Sequence, residues 1–169
     1  MKPLAMTLAA AAILLLPTSS VLGQSASRSF AFNAASVSGI STGEVALAGG
    51  GSYSLGAGLA KAGGVFRCLA DIDQGPLNGL KAGEGIRWDV AELLPSTTFK
   101  CSGGAVEKTA STDNKTVVIR AHFYRAEDGD AASFTATMIV SARDLDPDHR
   151  GTQNVWIQGV GCGNAIVSF

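Results

Sequence analysis

The strongest pattern in the chain is an alternation of apolar and polar residues over two neighbouring segments. Residues 116–124 and 133–140 each place apolar side chains at every second position. A period of two puts those side chains on one face of a strand. Between the segments lies Asp128-Gly129, a dipeptide that favours a two-residue type I′ turn. The pattern therefore predicts a β-hairpin.

The turn also predicts the register of this hairpin. With Asp128 and Gly129 at its centre, each apolar residue of one strand lies opposite an apolar residue of the other. The predicted pairs are Phe123 with Phe134, Ala121 with Ala136, Ile119 with Met138, and Val117 with Val140. A shift of one residue would move every one of these side chains to the other face. Turn chemistry and hydrophobic pattern thus indicate the same pairing.

Most of the remaining chain consists of short β-like segments separated by glycine. Strands are predicted near residues 30–37, 43–47, 65–72, 154–159 and 165–169, and Gly49-Gly50-Gly51 is predicted to be a turn. Residues 86–94 are ambiguous. Ile86, Val90 and Leu93 have helical spacing before Pro95, which favours one or two helical turns, but Ile86, Trp88 and Val90 also alternate as in a strand. The predicted fold is all-β: a single antiparallel β-sandwich or small β-barrel with at most one short helix.

The first 23 residues have the features of a secretory signal peptide. Lys2 precedes an uncharged apolar run, Leu4 to Leu16, and small residues lead to a cleavage site before Gln24. A run of about 13 residues is shorter than the roughly 20 that a membrane-spanning helix needs. We therefore expect a signal peptide at 1–23, a single secreted or periplasmic β domain at 24–169, and no membrane insertion after cleavage.

Composition narrows the range of partners. The chain has 13 basic and 14 acidic residues and a formal net charge of −1, which is not the basic footprint of a nucleic-acid-binding protein. The expected partner is an unknown small ligand or an extracellular protein, and no cofactor is predicted. The sequence contains no G-x-S-x-G elbow, P-loop, dinucleotide fingerprint, H-E-x-x-H or C-x-x-C motif. Binding without catalysis is thus the favoured function; an extracellular enzyme and a structural envelope component are the alternatives.

Three cysteines in an oxidising compartment predict one disulfide and one leftover thiol. Cys68 and Cys101 have matching contexts, Phe66-Arg67-Cys68 and Phe99-Lys100-Cys101, which in strands would put each cysteine beside its phenylalanine on an inner face. This symmetry predicts a Cys68–Cys101 bridge with Cys162 unpaired. A Cys101–Cys162 bridge and three buried free thiols are the alternatives.

The polar face of the predicted hairpin carries the candidate ligand-binding residues Arg120, His122 and Tyr124. They offer a cation, a titratable ring and a phenol in one row. If this face lined a cavity it could bind a ligand or, with an added carboxylate, catalyse a reaction. The alternative is a solvated outer face, which antiparallel sheets commonly have.

A second polar segment contains Asp144, Asp146, Asp148 and His149. Alternating carboxylates suit calcium, but His149 and Val155 stand where an EF-hand loop needs glycine and glutamate. The segment is therefore predicted to be an acidic surface loop, and no metal site is predicted.

Overall fold

The computed structural model describes residues 26–40, 42–125 and 133–169, and these ranges contain strands and loops without a helix. No helix of these ranges has the length and apolarity needed to cross a membrane. The strands are β1 (Arg28–Gly39), β2 (Glu44–Ser54), β3 (Leu59–Ala70), β4 (Arg87–Leu94), β5 (Ser96–Phe99), β6 (Lys108–Ser111), β7 (Thr116–Tyr124), β8 (Ser133–Ser141), β9 (Val155–Ile157), β10 (Gly161–Gly163) and β11 (Ile166–Ser168).

The strands of the main sheet close into a ring. The order is β1-β2-β3-β4-β7-β8-β9-β10, every pairing is antiparallel, and β10 pairs back onto β1 through Ser38–Cys162 and Gly39–Gly161. β11 continues along the same edge of β1. The predicted all-β antiparallel fold is confirmed, in a barrel-like form.

The predicted hairpin is β7–β8, and its register is the one expected from the hydrophobic pattern. Phe123 pairs with Phe134 and Val117 pairs with Val140, with the two intermediate apolar pairs between them. Val117 and Phe123 are completely buried. The predicted Asp128-Gly129 turn lies outside the described residues.

Residues 87–94 form a strand, so the predicted helical turns are wrong. The pairing of β4 with β7 shifts register between Val90 and Glu92, which marks a β-bulge. The extra residue brings Leu93 onto the same face as Trp88 and Val90, and all three pack in or against the same apolar core. The bulge therefore produces the spacing that resembles a helical stripe.

The predicted turn at Gly49-Gly50-Gly51 is also wrong, because these residues lie inside β2. Gly49 pairs with Gly64 of β3, and both face the buried Trp88. A Cβ on Gly49 would lie 2.5 Å from Trp88 Cζ2, and a Cβ on Gly64 would lie 2.7 Å from Trp88 Nε1. The indole donates a hydrogen bond to the Ala48 carbonyl oxygen at 3.2 Å. These glycines thus make room both for the indole and for the close approach of the β2 and β3 backbones, which are reasons for glycine in a strand interior.

The interior of the ring is filled by apolar side chains. Every strand of the main sheet from β1 to β9 contributes at least one apolar side chain to the core, and the loop after β3 contributes three more. The largest fully buried side chains of this core are Trp88, Tyr53, Phe123, Ile72, Leu77, Leu80, Ile119, Met138 and Ile157. These buried apolar side chains occupy the interior of the ring, as in a close-packed core.

A second, smaller core lies between the ring and the β5–β6 hairpin, on the outer face of β7, β8 and β9. From the ring it contains Val118, Ile139 and Trp156, whose neighbours along each strand point inward. From the hairpin side it contains Phe99 and Ala110. The hairpin therefore covers part of the outer surface of the ring.

The disulfide joins Cys101 to Cys162, with a Cα–Cα distance of 4.7 Å, so the predicted Cys68–Cys101 bridge is wrong. Cys68 is an unpaired buried thiol in the interior core, whereas Cys101 and Cys162 belong to the outer core. The two matching tripeptides lie on opposite sides of the sheet, which local context does not reveal. Burial, reinforced by the nearby carboxylate of Glu84, raises the pKa of the Cys68 thiol to about 11, so Cys68 stays protonated and unreactive at neutral pH.

Candidate functional site

Arg120, His122 and Tyr124 lie together on the outer face of β7. They alternate with Ile119, Ala121 and Phe123, which are completely buried in the interior core, so their side chains point away from the interior. We call the surface formed by these three residues and their neighbours on β4 and β8 the polar face. On β4 these neighbours are Glu92, Asp89 and Arg87; on β8 they are Thr137, Thr135 and Ser133.

Side chains of β4 pair with two members of this row. Arg120 Nη1 lies 2.9 Å from Glu92 Oε2, and both side chains are about half exposed. The Tyr124 hydroxyl donates a hydrogen bond to Asp89 Oδ1 at 3.3 Å, and the Arg87 guanidinium carbon lies 4.7 Å from the centre of the Tyr124 ring. An exposed ion pair of this kind contributes at most about 1 kcal/mol to stability. Replacing this ion pair by contacts with a partner would therefore cost little free energy.

His122 is held by hydroxyl groups of β8. Its Nδ1 atom lies 3.0 Å from Thr135 Oγ1 and 3.3 Å from Ser133 Oγ. Asp89 is the residue opposite His122 on β4, but its carboxylate accepts from Tyr124. A nucleophile–base pair needs a third group that orients the base. Among the described residues no side chain is hydrogen-bonded to the other ring nitrogen, Nε2, of His122.

The carboxylates of the acidic segment after β8 are engaged by a lysine and by backbone amides of the same chain. Lys108 Nζ makes ion pairs with Asp146 and, at 2.7 Å, with Asp148, and the hydrogen bonds that Lys108 donates to Asp146 and Asp148 raise its pKa. Asp144 Oδ1 accepts hydrogen bonds from the backbone amides of Asp146 and Gln153. The described residues contain no group of three or more His, Cys, Asp or Glu side chains placed to hold a metal ion. The Lys108 ammonium thus occupies the position between Asp146 and Asp148 that a metal cation would take.

A cleft of about 250 Å³ beside this segment has its charged groups paired in the same way. Arg143 Nη1 lies 2.6 Å from Asp113 Oδ2. Burial raises the pKa of the Asp113 carboxyl, but hydrogen bonds from the Arg143 side chain and the Lys115 amide outweigh it, and the net pKa is below its ordinary value. The arginine and the lysine that line this cleft are therefore both engaged in internal ion pairs.

The sequence did not indicate a groove of about 360 Å³ between the β5–β6 hairpin and the outer face of β8 and β9. We call it the hairpin groove. Thr97 and Thr98 of β5 line one side, and Thr137 and Gln158 line the other. Further lining residues are Trp156 of the outer core and the charged Lys100 and Glu107. Since Thr137 pairs with Arg120, the groove adjoins the polar face.

Comparison with known proteins adds no relative: no protein-family model, no curated protein and no solved structure matches this chain. Function is therefore inferred from the geometry of the residues described above.

Proposed function

We propose that the chain is a secreted or periplasmic protein that binds a polar ligand or an extracellular partner on its outer surface and does not catalyse a reaction. The observation that carries this proposal is the filled interior of the ring, which leaves the outer surface for binding. On that surface, Arg120, His122 and Tyr124 present charged, titratable and hydroxyl groups in one row. These are the residues we propose to contact the partner.

Two features support the proposed location. Residues 1–23 have the pattern of a signal peptide, and the Cys101–Cys162 disulfide is compatible with an oxidising compartment outside the cytoplasm. N-terminal sequencing of the exported protein should start at or within a few residues of Gln24. Intact leader in a soluble cytosolic pool would contradict this part of the proposal.

Binding is favoured over catalysis by the surroundings of His122. Its Nδ1 atom lies beside hydroxyl oxygens and not beside a carboxylate that could orient it as a base, and the Asp89 carboxylate opposite it on β4 accepts from Tyr124. The row also lies on the outer wall of the sheet, whereas general acid–base catalysis works best where water is excluded.

Thermal-shift measurements on the mature chain can test the function with a panel of nucleotides, amino acids, dicarboxylates and oligosaccharides. A ligand that binds only the folded state raises Tm. We expect at least one ligand class to raise Tm, and we expect the double variant Arg120→Ala/His122→Ala to lose this increase. Arg67→Ala, on the exposed outer face of β3, is the control and should retain it.

The enzyme alternative is tested in parallel with chromogenic esters, glycosides and phosphate esters. No turnover is expected from a binding protein. Turnover that disappears in His122→Ala would overturn the proposed function.

A further inference from the structure

We propose that the hairpin groove binds a neutral saccharide, so that the ligand of the polar face extends between the β5–β6 hairpin and the ring. This inference rests on the binding function proposed above and names the ligand class. The groove volume of about 360 Å³ falls within the range of small-molecule sites and accommodates one or two sugar rings.

Hydrogen-bonding groups without a protein partner converge on this groove. Among the described residues, the hydroxyl of Thr137 has none, and Thr137 lies on the outer face of β8, as Ile139 does. Gln158 uses Oε1 to accept from the Thr137 amide at 3.2 Å, and its carboxamide nitrogen is left without a protein acceptor in the described ranges. Partly exposed hydroxyl and amide groups of this kind are the donors and acceptors that sugar hydroxyls require.

The charges around the groove favour a neutral ligand. Lys100 and Glu107 carry one positive and one negative charge, and neither makes an ion pair within the described part of the chain. This differs from Lys108, Arg120 and Arg143, which are all ion-paired. A phosphate-rich ligand needs several cations, and only one is present here. The Glu107 carboxylate can instead accept hydrogen bonds from two neighbouring hydroxyls.

The wall formed by the hairpin is fixed before any ligand arrives. The disulfide ties Cys101, two residues after β5, to β10. The Trp156 indole donates a hydrogen bond to the Lys100 carbonyl oxygen at 2.9 Å, and its ring packs 5.8 Å from that of Phe99. A preformed site loses less conformational entropy on binding, which favours affinity for a small ligand.

Isothermal titration calorimetry of the mature chain with neutral tetrasaccharides of glucose, galactose and mannose tests the proposal. At least one should bind. Thr137→Val removes a hydroxyl and Gln158→Met removes the carboxamide, so each should weaken binding by about fivefold, the effect of one neutral hydrogen bond. Thr109→Val, an exposed position on β6 outside the groove, should leave affinity unchanged.

Three outcomes would overturn the saccharide proposal. One is the absence of binding to every neutral tetrasaccharide. Another is binding to an anionic glycan alone. The third is saccharide binding that Arg120→Ala/His122→Ala weakens but Gln158→Met does not, which would place the ligand on the polar face and leave the binding function intact. Failure of the binding function itself is recognised separately, by a thermal-shift panel in which no ligand class raises Tm or by chromogenic turnover that depends on His122.

Discussion

Removal of the Cys101–Cys162 disulfide should strongly destabilise this protein. The bridge links residues 61 positions apart. In the chain-entropy model, a closed loop of that length lowers the entropy of the unfolded chain by an amount worth about 4 kcal/mol at 25 °C. Total stabilities of single domains lie at roughly 5–15 kcal/mol, so this is a large fraction. We therefore expect Cys101→Ala/Cys162→Ala to lose about 4 kcal/mol of unfolding free energy.

Urea unfolding followed by tryptophan fluorescence provides the measurement. Trp156 lies in the outer core with both bridged cysteines, and Trp88 lies in the interior core, so together the two indoles report on both layers. The urea dependence of the unfolding free energy should also steepen, because the unbridged unfolded chain exposes more surface. Adding a reductant to the wild-type protein should reproduce the effect of the double substitution.

The buried thiol supplies the matched control. Cys68→Ala removes a sulfur from the interior core but leaves the bridge, so the stability of this variant should still fall on reduction. A change below about 1 kcal/mol on reducing the wild type would refute the entropic argument. A bridged peptide that contains Cys68 in a non-reducing digest would refute the pairing itself.

Three other perturbations test the core and its electrostatics. Phe123→Ala should cost about 3–5 kcal/mol in urea unfolding because the ring is fully buried, whereas His122→Ala on the outer face should cost little. Gly64→Ala should cost about 1–3 kcal/mol because the added methyl would overpack against the Ala48 carbonyl oxygen, the Gly49 backbone and the Trp88 indole, and near-UV circular dichroism should change with it. The pKa of Asp113 is lowered in the folded state, so its stabilising contribution is complete above its ordinary pKa of 3.8 and is lost as pH falls through the depressed value. Arg143→Gln should therefore move the acid-unfolding midpoint to higher pH; an unchanged midpoint would contradict the pairing.

The parts of the fold that could be predicted from the sequence are those encoded by neighbouring residues. Alternation in β7 and β8 specified both the strands and their register. The strand β4 was misjudged because its bulge imitates helical spacing. Gly49 was assigned to a turn because the indole that requires a glycine there comes from Trp88, 39 positions later in the chain.

For the candidate site, too, the sequence predicts what neighbouring residues encode and misses what distant residues form together. The row of Arg120, His122 and Tyr124 followed from alternation, although its position on the outer face depended on how the ring closes. The hairpin groove could not be predicted, since Thr98 and Thr137 come together only when the β5–β6 hairpin packs on β8 and β9. The disulfide that fixes this hairpin was itself ambiguous, because Cys68 and Cys101 occur in equivalent local sequences.

Closure of the ring has a consequence for the folding pathway. β1 finds two of its partners, β10 and β11, near the far end of the described chain, so those pairings carry a large loop-closure entropy and should form late. Until residues 161–168 are available, the backbone edge of β1 that they cover lacks its partners and can pair with the strands of other molecules. A chain shortened before Gly161 should therefore aggregate rather than simply lose stability. β10 and β11 therefore protect the edge of β1 from intermolecular strand pairing once they have formed.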